Sequence, residues 1–161
     1  MPTGQDANLR FLRRAIALAT ENVRAGHGGP FAAVVVRDGR ILGEGVNTVT
    51  AANDPTAHAE VNAIRAAATA LGDFSLAGCE IYSSCEPCPM CLAACYWARL
   101  GAIYFAATAA DAAHAGFDDD YIHDEFAKPV DARSLPAINL LREEAWASFQ
   151  AWIEAGKKIP Y

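Results

Sequence analysis

Three of the five cysteines fall within seven positions, as Cys85-Glu86-Pro87-Cys88-Pro89-Met90-Cys91, and this spacing constrains the chain more than any other feature. A disulfide framework spreads its cysteines to tie distant segments together. An odd count bunched this tightly suits a metal held in a reducing compartment instead. The further donor that a metal needs is offered upstream by His58-Ala59-Glu60, so the fold has to bring two separated segments to one place.

The pattern around these segments is that of a layered α/β domain. Leu9, Leu12, Ile16 and Ala19 recur at helical spacing, which predicts an amphipathic helix over about 8–25, stopped by Gly26-His27-Gly28-Gly29-Pro30. Phe31 to Val36 and Ile41 to Val46 flank Asp38-Gly39, a two-residue hairpin signal. Thr56 is read as the N-cap of a helix over about 57–71. Cys79 to Ser83 reads as a third strand, Pro89 opens a helix to about Ala98, and Ala102 to Ala106 is a fourth strand. The alternation of strands and helices after Asn47 predicts a mostly parallel run. Asp111 to His114 reads as a short helix, 116–121 as a loop, and 143–154 as a helix with Trp146, Phe149 and Ile153 on one face. At 161 residues, with no repeat or linker, the chain is expected to form a single domain over 1–161.

Cys88 and Cys91, three apart on a helix, present their sulfurs to one side, and His58 completes three ligands at the start of another helix. Glu60 lies two residues on and can approach the same ion only if the metal sits off the helix's first turn. Three protein ligands with an open fourth position, and a carboxylate beside it, is the arrangement of a catalytic zinc. The competing reading is a closed structural site with Cys85 as fourth ligand. It is disfavoured because the strand end carrying Cys85 should not reach the ion and Glu60 would have no task. Cys79 and Cys95 read as core hydrophobes, and His27, His114 and His123 as loop or surface residues.

His58-Ala59-Glu60 with Pro87-Cys88-Pro89-Met90-Cys91 resembles the zinc-dependent cytidine/deoxycytidylate deaminase superfamily, whose signature is H-x-E followed by P-C-x-x-C. Within it the chain is similar to the bacterial guanine deaminases, through Gly28 to Phe31, Asn53 to Glu60, Ser84 to Cys91, Tyr96 to Arg99, Ala115 to Asp119 and the terminal Tyr161. The resemblance implies a three-layer α-β-α fold around a central five-stranded mixed sheet, and hydrolysis of guanine to xanthine and ammonia. It implies Zn2+ on His58, Cys88 and Cys91, Glu60 as proton shuttle to a zinc hydroxide, and Asp119 as a second acid, with Asp124 and Glu125 as alternatives. Asn47, Phe31, Ala59 and Trp97 would contact the base. A homodimer is also implied, in which the segment from about 140 to 161 crosses to the partner and Tyr161 closes the neighbouring pocket.

Charge decides among the partners of such a site. Thirteen basic against nineteen acidic residues give a net charge of −6, and lysine occurs only at 128, 157 and 158. Such a field repels nucleic acid and anionic membrane surfaces, so a small uncharged nucleobase is expected rather than a tRNA. Cytosine, ammeline, guanosine and a tRNA adenosine remain alternative substrates, and a non-enzymatic zinc module is the alternative outside catalysis. No signal segment or apolar run long enough to span a bilayer is read, so the expected location is cytoplasmic.

Overall fold

The computed structural model describes the backbone of residues 4–161 and the side chains of residues 8–118 and 120–161. Helix α1 (Gly4–Arg24) leads into the hairpin β1 (Ala32–Arg37) and β2 (Arg40–Val46), followed by the short α2 (Val49–Ala52), α3 (Ala59–Leu71), β3 (Glu80–Cys85), α4 (Pro89–Trp97) and β4 (Ala102–Ala107). The chain ends in α5 (Ala109–His114), α6 (Asp119–Ala127), a 3-10 turn and α7 (Arg142–Glu154).

The hairpin forms where Asp38 (φ 50°) and Gly39 (φ 74°) both take left-handed backbone, the geometry whose twist matches the flanking strands. The sheet order is β2-β1-β3-β4. Strand β1 pairs antiparallel with both neighbours and β3 pairs parallel with β4, so β2, β3 and β4 share one direction and β1 opposes them. The parallel run expected after Asn47 is the β3–α4–β4 crossover, and β1 runs against it because a tight hairpin joins β1 to β2.

Four strands stand where five were expected. After β4, Thr108 and Asp111 form a reciprocal capping box that turns the chain directly into α5. Among the described residues no later segment returns to pair with β4. The loop read over 116–121 is shorter than expected, since α6 begins at Asp119.

Both faces of β1 are covered. Ala33 and Val35 pack with Ala59, Ala63, Ala67, Ile81 and Cys95 beneath α3 and α4, while Val34 and Val36 pack with Phe11 and Tyr82 beneath α1. The α1 stripe is rotated from the expected one. Phe11, Ala15, Ala19 and Asn22 are buried, whereas Leu9 and Ile16 are exposed, because the ring of Phe11 meets Tyr82 at 5.1 Å and fixes which face turns inward. Cys79 and Cys95 are core residues as expected.

Helix α3 lies unusually close to β2. An added Cβ at Gly45 would fall 2.2 Å from the Ala59 carbonyl oxygen and 2.3 Å from the Ala63 nitrogen, and one at Gly43 would fall 2.5 Å from the Ala67 nitrogen. Glycine is required there because main chain meets main chain.

Candidate metal centre and cleft

The N-cap of α3 is His58 itself, with extended backbone (φ −71°, ψ 155°), and not Thr56. The Thr56 hydroxyl and backbone N–H instead donate to Asp54 Oδ1 at 2.7 and 2.8 Å, closing a local turn ahead of the helix. Cys88 holds the matching position on α4, with φ −63°, ψ 167° and Pro89 in the first turn. Cys91 follows one turn in. Strand β3 lies between the two segments in sequence.

This places one imidazole and two thiols together. A ligating atom from each of His58, Cys88 and Cys91 lies within 4.8 Å of the others, and His58 Nδ1 is 3.5 Å from both sulfurs. Between the sulfurs the hydrogen bond lowers Cys88, aided by His58, and raises Cys91, which is also buried beside Glu60. One nitrogen and two soft sulfurs at this separation suit Zn2+, and the set leaves a tetrahedral ion one position open. Cys85 is not in the group. Its Sγ donates to the Thr108 carbonyl at 3.5 Å.

Glu60 is 5% exposed and accepts from Ser83 Oγ at 3.0 Å. Burial pushes its carboxyl above the ordinary range, while hydrogen bonds from its own backbone N–H, Cys91 and Ser83 pull the other way. A buried carboxyl beside the three ligands is placed to exchange a proton with a group bound there. Ser83 went unread in the sequence. Its signal was alternation along β3, which turns it to the same face as the metal ligands.

The centre opens into a cleft of about 220 Å³ lined by Gly29, Phe31, Asn47, His58, Glu60 and Phe117, with Val49, Thr50, Glu86 and Cys88 completing the wall. That is smaller than the roughly 300 Å³ at which pockets for drug-sized ligands begin. Phe31 and Phe117 meet edge to face at 4.7 Å and form an apolar side suited to a flat ring. Phe117 and Glu86 were not singled out from sequence. Glu86 Oε2 accepts from the Ala109 N–H at 2.9 Å, tying the cysteine loop to the start of α5.

The remaining expected residues are distributed unevenly. Asn47 is buried at the end of β2, its Oδ1 accepting from the Val49 N–H at 3.3 Å. Ala59, expected to contact the base, is buried against Gly45 and is not among the residues lining the cleft. The backbone of Asp119 opens α6, and its side chain lies outside the described residues. Asp124 is exposed. Glu125 is engaged by Lys128 and by the Ser134 N–H and hydroxyl, which hold it down to about 2, so it anchors α6 to the following segment. Trp97 and Tyr161 stand away from the cleft, 60% and 74% exposed, with ring centroids 5.8 Å apart. Among the described residues no helix is long and apolar enough to cross a membrane.

Guanine deaminase of Bacillus subtilis is 54% identical over 94% of this chain and 97% of its own length. A crystal structure of that enzyme superposes with a TM-score of 0.91 at 53% identity, covering 94% of this chain and 97% of the other. A tRNA-specific adenosine deaminase of Agrobacterium fabrum is 45% identical over 78 residues, 48% of this chain and 51% of its own. The model of the cytidine and deoxycytidylate deaminase zinc-binding region matches residues 5–107, a span that carries His58, Glu60, Cys88 and Cys91 on the sheet and helices described above. The chain therefore belongs to the cytidine and deoxycytidylate deaminase family.

Proposed function

We propose that the chain hydrolyses guanine to xanthine and ammonia in a zinc-dependent reaction. The observation that carries this is the His58, Cys88 and Cys91 donor set with buried Glu60 at the floor of a cleft sized for a free base. The likeness to the guanine deaminase runs through both halves of the chain, whereas the tRNA deaminase is matched over only 48% of it.

When bound on His58, Cys88 and Cys91, zinc supplies a water acidified toward neutrality. Glu60 takes the proton that the attacking water gives up and delivers it to the amino nitrogen on C2, so that ammonia leaves. Ser83 holds one oxygen of Glu60, which leaves the other to move the proton. Phe31 and Phe117 hold the ring flat and exclude water from that side, and the Asn47 amide donates to it. Asp119, two residues after Phe117 at the start of α6, accepts from the adjacent N–H and amino groups of guanine. A cytosine ring does not present those donors side by side.

The active molecule is a homodimer in which the segment from about residue 140 crosses over and Tyr161 closes the partner's cleft. Supporting this, α7 leaves Trp146, Phe149, Trp152 and Ile153 in solvent, more apolar surface than a lone chain ordinarily exposes. A groove of about 750 Å³ runs along α3 and α4 beside Ile159 and Tyr161.

The test is ammonia release by the zinc-loaded protein incubated separately with guanine, cytosine, guanosine, adenine and ammeline. Guanine is expected to give the largest kcat/KM. Release from cytosine alone would overturn the assignment.

A further inference from the structure

Asn47 is held by more than its own strand. Its backbone N–H donates to the Phe31 carbonyl at 3.0 Å, and its carbonyl accepts from Asn22 Nδ2 at 2.9 Å. The same Asn22 amide donates to the Gly29 carbonyl at 3.0 Å. Asn22 stands on α1, far from the zinc ligands in sequence, and is 3% exposed. Its Oδ1 has no hydrogen-bond partner among the described residues. A buried amide whose acceptor half is unmatched carries a cost, so what separates it from a leucine of the same branched outline in hydrogen bonding is its donor half. Both carbonyls it reaches belong to residues that line the cleft.

The Asn47 carbonyl is also fixed from the opposite side. An added Cβ at Gly28 would fall 2.2 Å from that oxygen and 3.2 Å from Asn47 Oδ1, so the glycine loop closes directly over the Asn47 peptide. One peptide is thus clamped between a donor on α1 and a residue that must lack a side chain.

We propose that Asn22 is a positioning residue for base recognition: its buried amide, donating to the Gly29 and Asn47 carbonyls, sets where the Asn47 side chain stands in the cleft. Substrate never touches it. This rests on the proposed role of Asn47 in holding the base, and the experiment separates the two.

Steady-state kinetics with guanine are measured on the full-length, zinc-loaded protein and on Asn47→Ala, Asn22→Leu, Gly28→Ala and the Asn22→Leu/Asn47→Ala double variant. Asn47→Ala raises KM. Asn22→Leu keeps the branched outline, removes the donor, and raises KM about fivefold to tenfold with kcat within about twofold, the scale of one hydrogen bond made or lost. Gly28→Ala, which pushes the same carbonyl from the loop side, raises KM likewise, and it carries the test should Asn22→Leu not fold. In the Asn47→Ala background, Asn22→Leu adds less than about twofold, the non-additivity expected of residues acting through one group. A lower Tm with unchanged KM in both Asn22→Leu and Gly28→Ala, while Asn47→Ala is impaired, overturns the proposal. An unchanged KM in Asn47→Ala overturns the reading of Asn47 and the proposal with it.

Discussion

His58 and Glu60 lie two apart, a spacing that in a helix interior would turn them to opposite sides. They meet one cavity because His58 is not in the helix: its extended backbone at the N-cap lets the imidazole leave before α3 begins. Nothing in the residue types reveals this, since Thr56 is the better capping residue by propensity and is diverted by Asp54. Cys85 follows the same lesson in reverse, its adjacency to the signature carrying no weight once its thiol turns to Thr108. Glu60→Gln is accordingly expected to keep one zinc per chain and lose turnover by about three orders of magnitude or more. Cys85→Ser is expected to keep both. Metal content by plasma emission alongside ammonia release checks the pair, and zinc lost from Cys85→Ser would make the site the closed structural kind.

The β1–β2 hairpin and the β3–α4–β4 crossover were legible as elements because their turns and periods are local. The parallel pairing after Asn47 was legible too and is found between β3 and β4, whereas the place of β1, antiparallel between β2 and β3, was not, because only tertiary structure sets it. The face of α1 was misjudged for a related reason. Leu9 and Ile16 have the right period, but the aromatic contact of Phe11 with Tyr82 selects the adjacent stripe. The glycines of β2 are the clearest case of an element-scale demand. Gly45→Ala places a methyl against the backbone of Ala59 and Ala63, with an expected cost of about 3 kcal/mol. For a chain of this size that lowers Tm by roughly 6–12 °C, as calorimetry would show, and guanine turnover falls with it because His58 and Glu60 ride on the displaced helix. An unchanged Tm would mean that α3 can retreat without loss.

At the scale of the whole molecule, the zinc ligands were readable almost to the residue, whereas in the carboxyl-terminal third the helix over 143–154 was readable and what its apolar face packs against was not. The signature residues are chemically unusual and so conspicuous. By contrast, Tyr161 at a chain end and the apolar face of α7 are individually ordinary, and their meaning depends on what covers them. Deleting residues 142–161 is expected to convert a dimer to a monomer in sedimentation velocity while zinc content stays at one per chain, and to lower turnover by about tenfold or more through loss of a closing wall. A deletion variant that sediments and turns over as the parent does would rule out the exchanged segment. The main-chain contact between β2 and α3 has a further consequence for how such a molecule can diversify. Where glycine abuts alanine, the range of acceptable substitutions is nearly nil, so mutational drift there is purged. The apolar side of the cleft, where Phe31 and Phe117 meet through their side chains, is not bound by main-chain contact in this way. New substrates can be explored on that side over evolutionary time while the hydrolytic machinery beneath it is inherited unchanged.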